Sequence, residues 1–300
     1  MVRAMPTSGW ERALRFPLTR GLIAVCMVLG PALLIQWPVA KFHLEHSVWF
    51  LVAGIAMAAV VIVMYRIFVR AIEHRAPDEL GPPRIGTEVI AGMVIGALLF
   101  TFTIGILRAL GRYEVLGVNR ASVLFYPLAG SIVSSVLEEV LFRGILFRLV
   151  EERLGSAIAL AVSAVLFGTA HLANPGASAL GAASIVIEAG ILLAGAYLMT
   201  RRLWLPIGLH FAWNFMEAGV FGVEVSGRDV PGLLRGHLTG PVWLTGGKFG
   251  PEASVLAVGI CLATGIEFIV LARRRGHWLP PFWARRPAPA AAPVGSSHGG

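Results

Sequence analysis

An all-α, polytopic bundle of about eight transmembrane helices, with both termini cytoplasmic, is the fold that this chain predicts. Three observations carry the prediction. Of 300 residues, 56% are apolar and only 14% charged, with a mean hydropathy of +0.75, whereas a soluble domain carries roughly 25% charged residues. The apolar residues fall in runs of about the 17–25 residues that a helix needs to cross the hydrocarbon, without the alternation of a barrel strand. The basic residues are divided unequally between the two sets of intervening loops.

In chain order the runs lie near 19–38, 47–69, 87–108, 121–146, 155–172, 178–200, 203–222 and 253–272. The first follows arginines, as a signal peptide would. It is long, however, and Pro38-Val39-Ala40 is a poor cleavage site, so an uncleaved anchor is expected. Between the second and third runs, 76–86 holds Pro77, Gly81, Pro82 and Pro83, which break a helix. The stretch 224–252 reads as the longest loop, and 285–300, rich in Pro, Ala and Gly, as a disordered tail. Residues 1–284 then form one membrane domain. No repeat at a fixed period appears, which counts against solenoids and inverted-repeat transporters.

With the N-terminus inside, cytoplasmic flanks hold Arg3, Arg12, Arg15, Arg20, Arg66, Arg70, Arg75, Arg84, Arg148, Arg153, Arg201, Arg202, Arg273, Arg274, Arg275, Arg285 and Arg286, seventeen in all. Outer flanks hold seven: Lys41, Arg108, Arg112, Arg120, Arg228, Arg235 and Lys248. This is the positive-inside pattern. The net charge of +8 therefore reads as anchoring to an anionic leaflet, and no nucleic-acid partner is expected. Cys26 and Cys261 both lie within apolar runs and imply neither a disulfide framework nor a thiolate metal site. Only two of the 25 basic residues are lysine. That composition points to a GC-rich bacterial genome and hence to a bacterial cytoplasmic membrane.

Chemistry concentrates between about 130 and 217. Glu138 and Glu139 are adjacent in an apolar run, where an ionised carboxylate costs about 2.5–3.5 kcal/mol even on forgiving scales. Glu139 and Arg143 are four apart, share a helix face and can neutralise one another. Glu138 points about 100° away and has no such local partner. His171 ends the fifth run in Phe167-Gly168-Thr169-Ala170-His171. His210 and Asn214, also four apart, share a face of the seventh. A carboxylate with a histidine can take a proton from water, and a histidine with a carboxamide can donate to an oxyanion. Each group also has a structural role open to it. Glu139–Arg143 can be interhelical glue, His171 can cap a helix or meet the interface, and His210 with Asn214 can hydrogen-bond between helices.

Glu138-Glu139-x-x-x-Arg143, Phe167-x-x-x-His171 and His210-x-x-x-Asn214, in that order, resemble the motifs of the CPBP family, the CAAX prenyl endopeptidase, bacteriocin-immunity and lysostaphin-resistance group of intramembrane proteases. The likeness extends to Leu205-Pro206-Ile207-Gly208-Leu209-His210-Phe211-Ala212-Trp213-Asn214 and covers about 125–217. It implies a membrane endopeptidase, often classed as a metalloendopeptidase. Glu138 and His171 would activate water, His210 and Asn214 would hold the oxyanion, and Glu139 and Arg143 would brace the site. The implied partners are the lipid bilayer and a peptide or membrane-protein substrate. No metal is favoured, because no His-Glu-x-x-His helix is present; were zinc bound, Glu138, His171 and His210 would be its ligands. The alternatives are a non-catalytic immunity or binding protein of the same fold and a proton-coupled transporter. Counted along the runs, Glu138 and His210 lie near the cytoplasmic side. His171 lies about 24 Å along the fifth run at 1.5 Å per residue, so that run is expected to tilt, start deep or re-enter.

Overall fold

The computed structural model describes residues 16–41 and 47–284; the proline-rich tail and the first arginines lie outside them. Three long helices come first: α1 (Pro17–Lys41), α2 (Val48–Ala71) and α3 (Ile85–Ala109). Strand β1 (Tyr113–Val118) leads to α4 (Phe125–Glu139), a π-helical turn (Val140–Phe147) and α5 (Arg148–Ala170). Next come α6 (Ala179–Ile185), a second π turn (Val186–Gly190) and α7 (Ile191–Thr200). Helix α8 (Trp204–Asn214) runs into a third π turn (Phe215–Val220). Strand β2 (Leu234–Leu238), the short α9 (Val242–Thr245) and α10 (Val255–Arg274) complete the chain. The fold is an all-α bundle. Six stretches among the described residues are long and apolar enough to cross a membrane, one of them the 53-residue Ala121–Ala173. Large apolar side chains on their outer faces, such as Leu18, Leu34, Leu98 and Phe102, are exposed, as a lipid-facing surface requires.

The long stretch folds back on itself at Gly155, whose φ of 78° and ψ of 170° interrupt the helix. Glycine is required there: a Cβ would lie 2.7 Å from the Pro281 nitrogen, where the chain after α10 packs against the turn. The sequence reading ends the fourth run at 146, because Arg148, Glu151, Glu152 and Arg153 look like a loop. Arg148, Glu151 and Glu152 have partners that neutralise them within the helix, and Arg153 is exposed. Arg148 meets Glu73 at 2.7 Å and Glu152 at 2.7 Å, Arg20 reaches both acids, and Arg201 pairs with Glu151. Arg75 holds Glu79 at 2.7 Å. Burial would raise the Glu79 carboxyl, but the bonds and charge of Arg75, with the Tyr65 hydroxyl, hold it below its usual range.

Extending the fourth run by these turns settles the depth problem. Glu138 lies 17 residues before Gly155 and His171 lies 16 after it, so the antiparallel arms bring both to one level. Ser163 Oγ donates to the Phe142 carbonyl at 3.2 Å and the Phe142 and Phe167 rings meet edge to face at 5.0 Å, tying the arms together just below that level.

Helix α8 is placed by α3 through small residues. A Cβ on Gly92 would sit 2.2 Å from the Leu205 carbonyl oxygen, one on Gly96 2.4 Å from that of Leu209, and one on Gly208 2.3 Å from that of Val89. Such close backbone approach is what small residues permit in membrane bundles. It fixes the rotation of α8, so that His210 and Asn214 face α4. One apolar core, around Tyr65, Phe68, Phe147 and Leu203, fills the arginine-rich end; a second, around Phe100, Phe167, Leu193 and Trp213, fills the opposite half. The 224–252 region is not all loop. Its β2 pairs antiparallel with β1, matching Tyr113 with Leu238 and Val118 with Leu234, with an irregularity between Val115 and Val118.

Candidate active site

Four of the residues singled out in sequence line one groove. Glu138, His171, His210 and Asn214 border a cavity of about 530 Å³ that also meets Phe50, Met57, Tyr126 and Leu137 from α2 and α4. Apolar walls with a few convergent polar groups are the usual make-up of a small-ligand or substrate site.

Glu139 and Arg143 are both fully buried, joined at 2.9 Å. A second guanidinium nitrogen of Arg143 reaches the carbonyls of Ala189 (3.2 Å) and Gly190 (3.4 Å), and the guanidinium lies 4.5 Å from the centre of the Phe167 ring. Those carbonyls sit at the end of the second π turn, where the usual helical ladder is altered. Arg143 thus locks α4, α5 and the α6–α7 element together. The bracing role is wider than an i,i+4 pair, because Glu139 Oε1 also meets His210 Nδ1 at 3.1 Å. A carboxylate only accepts, so Nδ1 carries the proton and the ring is fixed with Nε2 toward Glu138, 3.9 Å from its Oε2.

His171 is oriented in the same manner. Its Nδ1 lies 2.8 Å from the Phe167 carbonyl and donates to it, which leaves Nε2 with a lone pair in the neutral ring. Asn214 Nδ2 donates to Ser134 Oγ at 3.2 Å, from the start of the same turn that carries Glu138. Ser134 is a positioning residue that the sequence reading passes over. Glu138 stands apart: its side chain is 27% exposed, and its Oε2 is buried without a hydrogen-bond partner. The arrangement therefore presents a carboxylate, an imidazole lone pair and two nitrogens of α8 to one hydrated space. Among the described residues, no three His, Cys, Asp or Glu side chains are disposed to hold a metal ion.

Three further acids lie behind the site. Glu188, Glu217 and Glu252 are at most 2% exposed, with oxygens that lack partners. A cavity of about 20 Å³ joins Glu188 and Glu252 to His171, His210 and Asn214, and the unpartnered Nε1 of Trp213 belongs to its wall residues. Glu188 and Glu217 sit within apolar runs, so the cost argument applied to Glu138 could have found them. Glu252 follows no such run and is brought in by the β2–α10 connection. Burial pushes its carboxyl up to about 7, although Ser226 bonds to it and His210 opposes the shift. An unfolded glutamate ionises near ~4.3. The folded form therefore holds its proton over that window, and the resulting stability is present at acid pH and lost as pH rises through about 7. Glu252→Gln is expected to raise the midpoint of thermal unfolding in detergent at pH 8 and to raise it less at pH 5. An equal change at both values would rule out this linkage.

Residues 120–216 match the family described as Type II CAAX prenyl endopeptidase Rce1-like. Over 217 residues the chain is 26% identical to the Bacillus subtilis (strain 168) protein named "Putative membrane peptidase YdiL", an alignment that covers 68% of this chain and 82% of that one. No solved structure gives a significant match. The matched stretch holds Glu138, His171, His210 and Asn214, and over this 120–216 core the integral membrane protein is similar to the Rce1-like CAAX-type membrane proteases.

Proposed function

We propose that the protein is an intramembrane endopeptidase that hydrolyses peptide bonds with a water activated by Glu138 and His171. The observation that supports this most is the convergence of Glu138, His171, His210 and Asn214 on one groove of an apolar bundle. Glu138, with His171 on the wall of the same groove, takes a proton from water as the oxygen attacks the scissile carbonyl carbon. The carbonyl becomes an oxyanion held by Asn214 Nδ2 and by His210 Nε2–H, with both His210 nitrogens then acting as donors. Collapse expels the amine, which leaves with the proton first taken from water. Glu139 and Arg143 keep His210 in place. A substrate in the membrane or at its surface enters along the apolar wall of Phe50, Met57 and Tyr126.

His171→Ala tests the reading. New protein termini are compared by mass spectrometry between membranes bearing the wild-type protein and membranes bearing the variant. Termini present with the wild type should fall at least about 100-fold with the variant, in line with the loss of a general acid–base group. An unchanged set of termini at equal protein level would refute it and favour a binding or immunity role.

A further inference from the structure

The groove opens on one face of the bundle only. It is lined by Ile35 of α1, the start of α2, α4 from Tyr126 to Glu138, Phe142, the 170–174 turn, His210, Asn214 and Ala218, and the 225–230 segment. None comes from the opposite end, where the Gly155 turn, the 72–84 segment and Arg201–Arg202 lie. Below the site, the fully buried Tyr65, Phe68, Arg143 and Phe147 close the bundle. A separate cavity of about 480 Å³ at that opposite end, bordered by Arg84, Glu88, Arg202 and Arg275, shares no lining residue with the groove.

The two faces differ in charge. Twelve arginines among the described residues belong to the closed end, and with the flanking terminal arginines the sequence places seventeen basic residues there against seven at the open end. Several of the twelve anchor buried acids as well, so inverting the bundle would also carry their ion-pair network across the membrane. Excess arginine in short loops fixes the cytoplasmic side.

We infer that the groove opens on the non-cytoplasmic side, and that the substrates are polypeptide segments lying in or displayed on that side of the membrane. The site's own water comes from the same side, since the arginine-rich end is sealed by packed side chains. The facing rests on the groove and the arginines alone; the word substrate rests on the protease reading above.

The test is labelling of single cysteines in a Cys26→Ala, Cys261→Ala background, with a membrane-impermeant maleimide added to intact expressing cells. Ala173→Cys reports the groove, Leu116→Cys and Trp243→Cys the loops assigned to the outer side, and Pro82→Cys and Arg274→Cys the opposite end; Ala173, Leu116, Trp243, Pro82 and Arg274 are all exposed. The first three should be labelled in intact cells, with the last two at least 10-fold less until the cells are lysed. Labelling of the groove set only after lysis, or of both sets before it, would overturn the inference. Labelling does not depend on activity, so the expected pattern combined with unchanged termini in His171→Ala would sink the protease and leave the facing intact. With both intact, the termini lost in His171→Ala should map to non-cytoplasmic segments, and a purely cytoplasmic set would also overturn it.

Discussion

Glu138→Gln is expected to lower peptide cleavage by about 10²–10⁴-fold, the usual contribution of a positioned acid–base group, while the protein accumulates and unfolds as the wild type does. The two halves of this expectation come from the same geometry. Glu138 Oε2 is buried without a hydrogen-bond partner and lies 3.9 Å from His210 Nε2, beyond bonding distance. Removing its charge deletes no contact that holds helices together and relieves the cost of a carboxylate in an apolar bundle. Glutamine keeps the shape and loses the base. Cleavage rates are measured in proteoliposomes with a peptide that spans a cleavage site found in the terminal survey, and stability by thermal unfolding of the same preparation. A variant that cleaves at wild-type rate would remove Glu138 from the mechanism. One that fails to fold would make it a structural residue.

Arg143→Met should behave in the opposite way. Its guanidinium is fully buried, bonded to Glu139 at 2.9 Å and to two carbonyls of the α6–α7 element, and stacked on Phe167. Taking away one member of a buried pair leaves the other charged and unsolvated, at a cost of about 3–5 kcal/mol. A loss of this size is expected in detergent unfolding, together with lost activity, because Glu139 also positions His210. Adding Glu139→Gln to Arg143→Met should restore most of the stability and not the activity. Arg143→Lys should rescue little, since a point charge lacks the planar fork that reaches carboxylate and carbonyls together. If Arg143→Met costs under ~1 kcal/mol, the pair is ordinary glue between membrane helices.

The polar residues that line the groove were legible in the sequence for one physical reason: carboxylates and imidazoles are expensive in hydrocarbon, so their presence in apolar runs asks for an account. The four-residue spacings of Glu139–Arg143 and His210–Asn214 likewise translated directly into shared helix faces. What escaped was set by distant contacts. The turns from Arg148 to Arg153 read as loop because the partners that make them helical, Glu73, Arg20 and Arg201, are far away in sequence. The pairing of β1 with β2 joins segments more than a hundred residues apart, each too short to announce itself. Glu252 belongs to no spaced motif and no apolar run, and only the fold brings it, with Glu188, to the cavity beside His210. Gly92 and Gly96 are spaced as a small-xxx-small pair, which the sequence reading passes over, and only the fold names α8 as the partner.

The three wide turns at 140–147, 186–190 and 215–220 each act as an extra residue slipped into a helix. Deleting one residue from the first would restore ordinary winding without breaking the rod. Because the wide turn absorbs the surplus residue where it stands, such a deletion leaves Glu138 in phase with the arginine-bound base of the bundle. One residue lost from the regular helix between 148 and 154 has no such slack and turns Glu138 by about 100° away from its histidines. The aim of the carboxylate is thus carried by the uninterrupted count of residues down to Gly155, which no motif letter records.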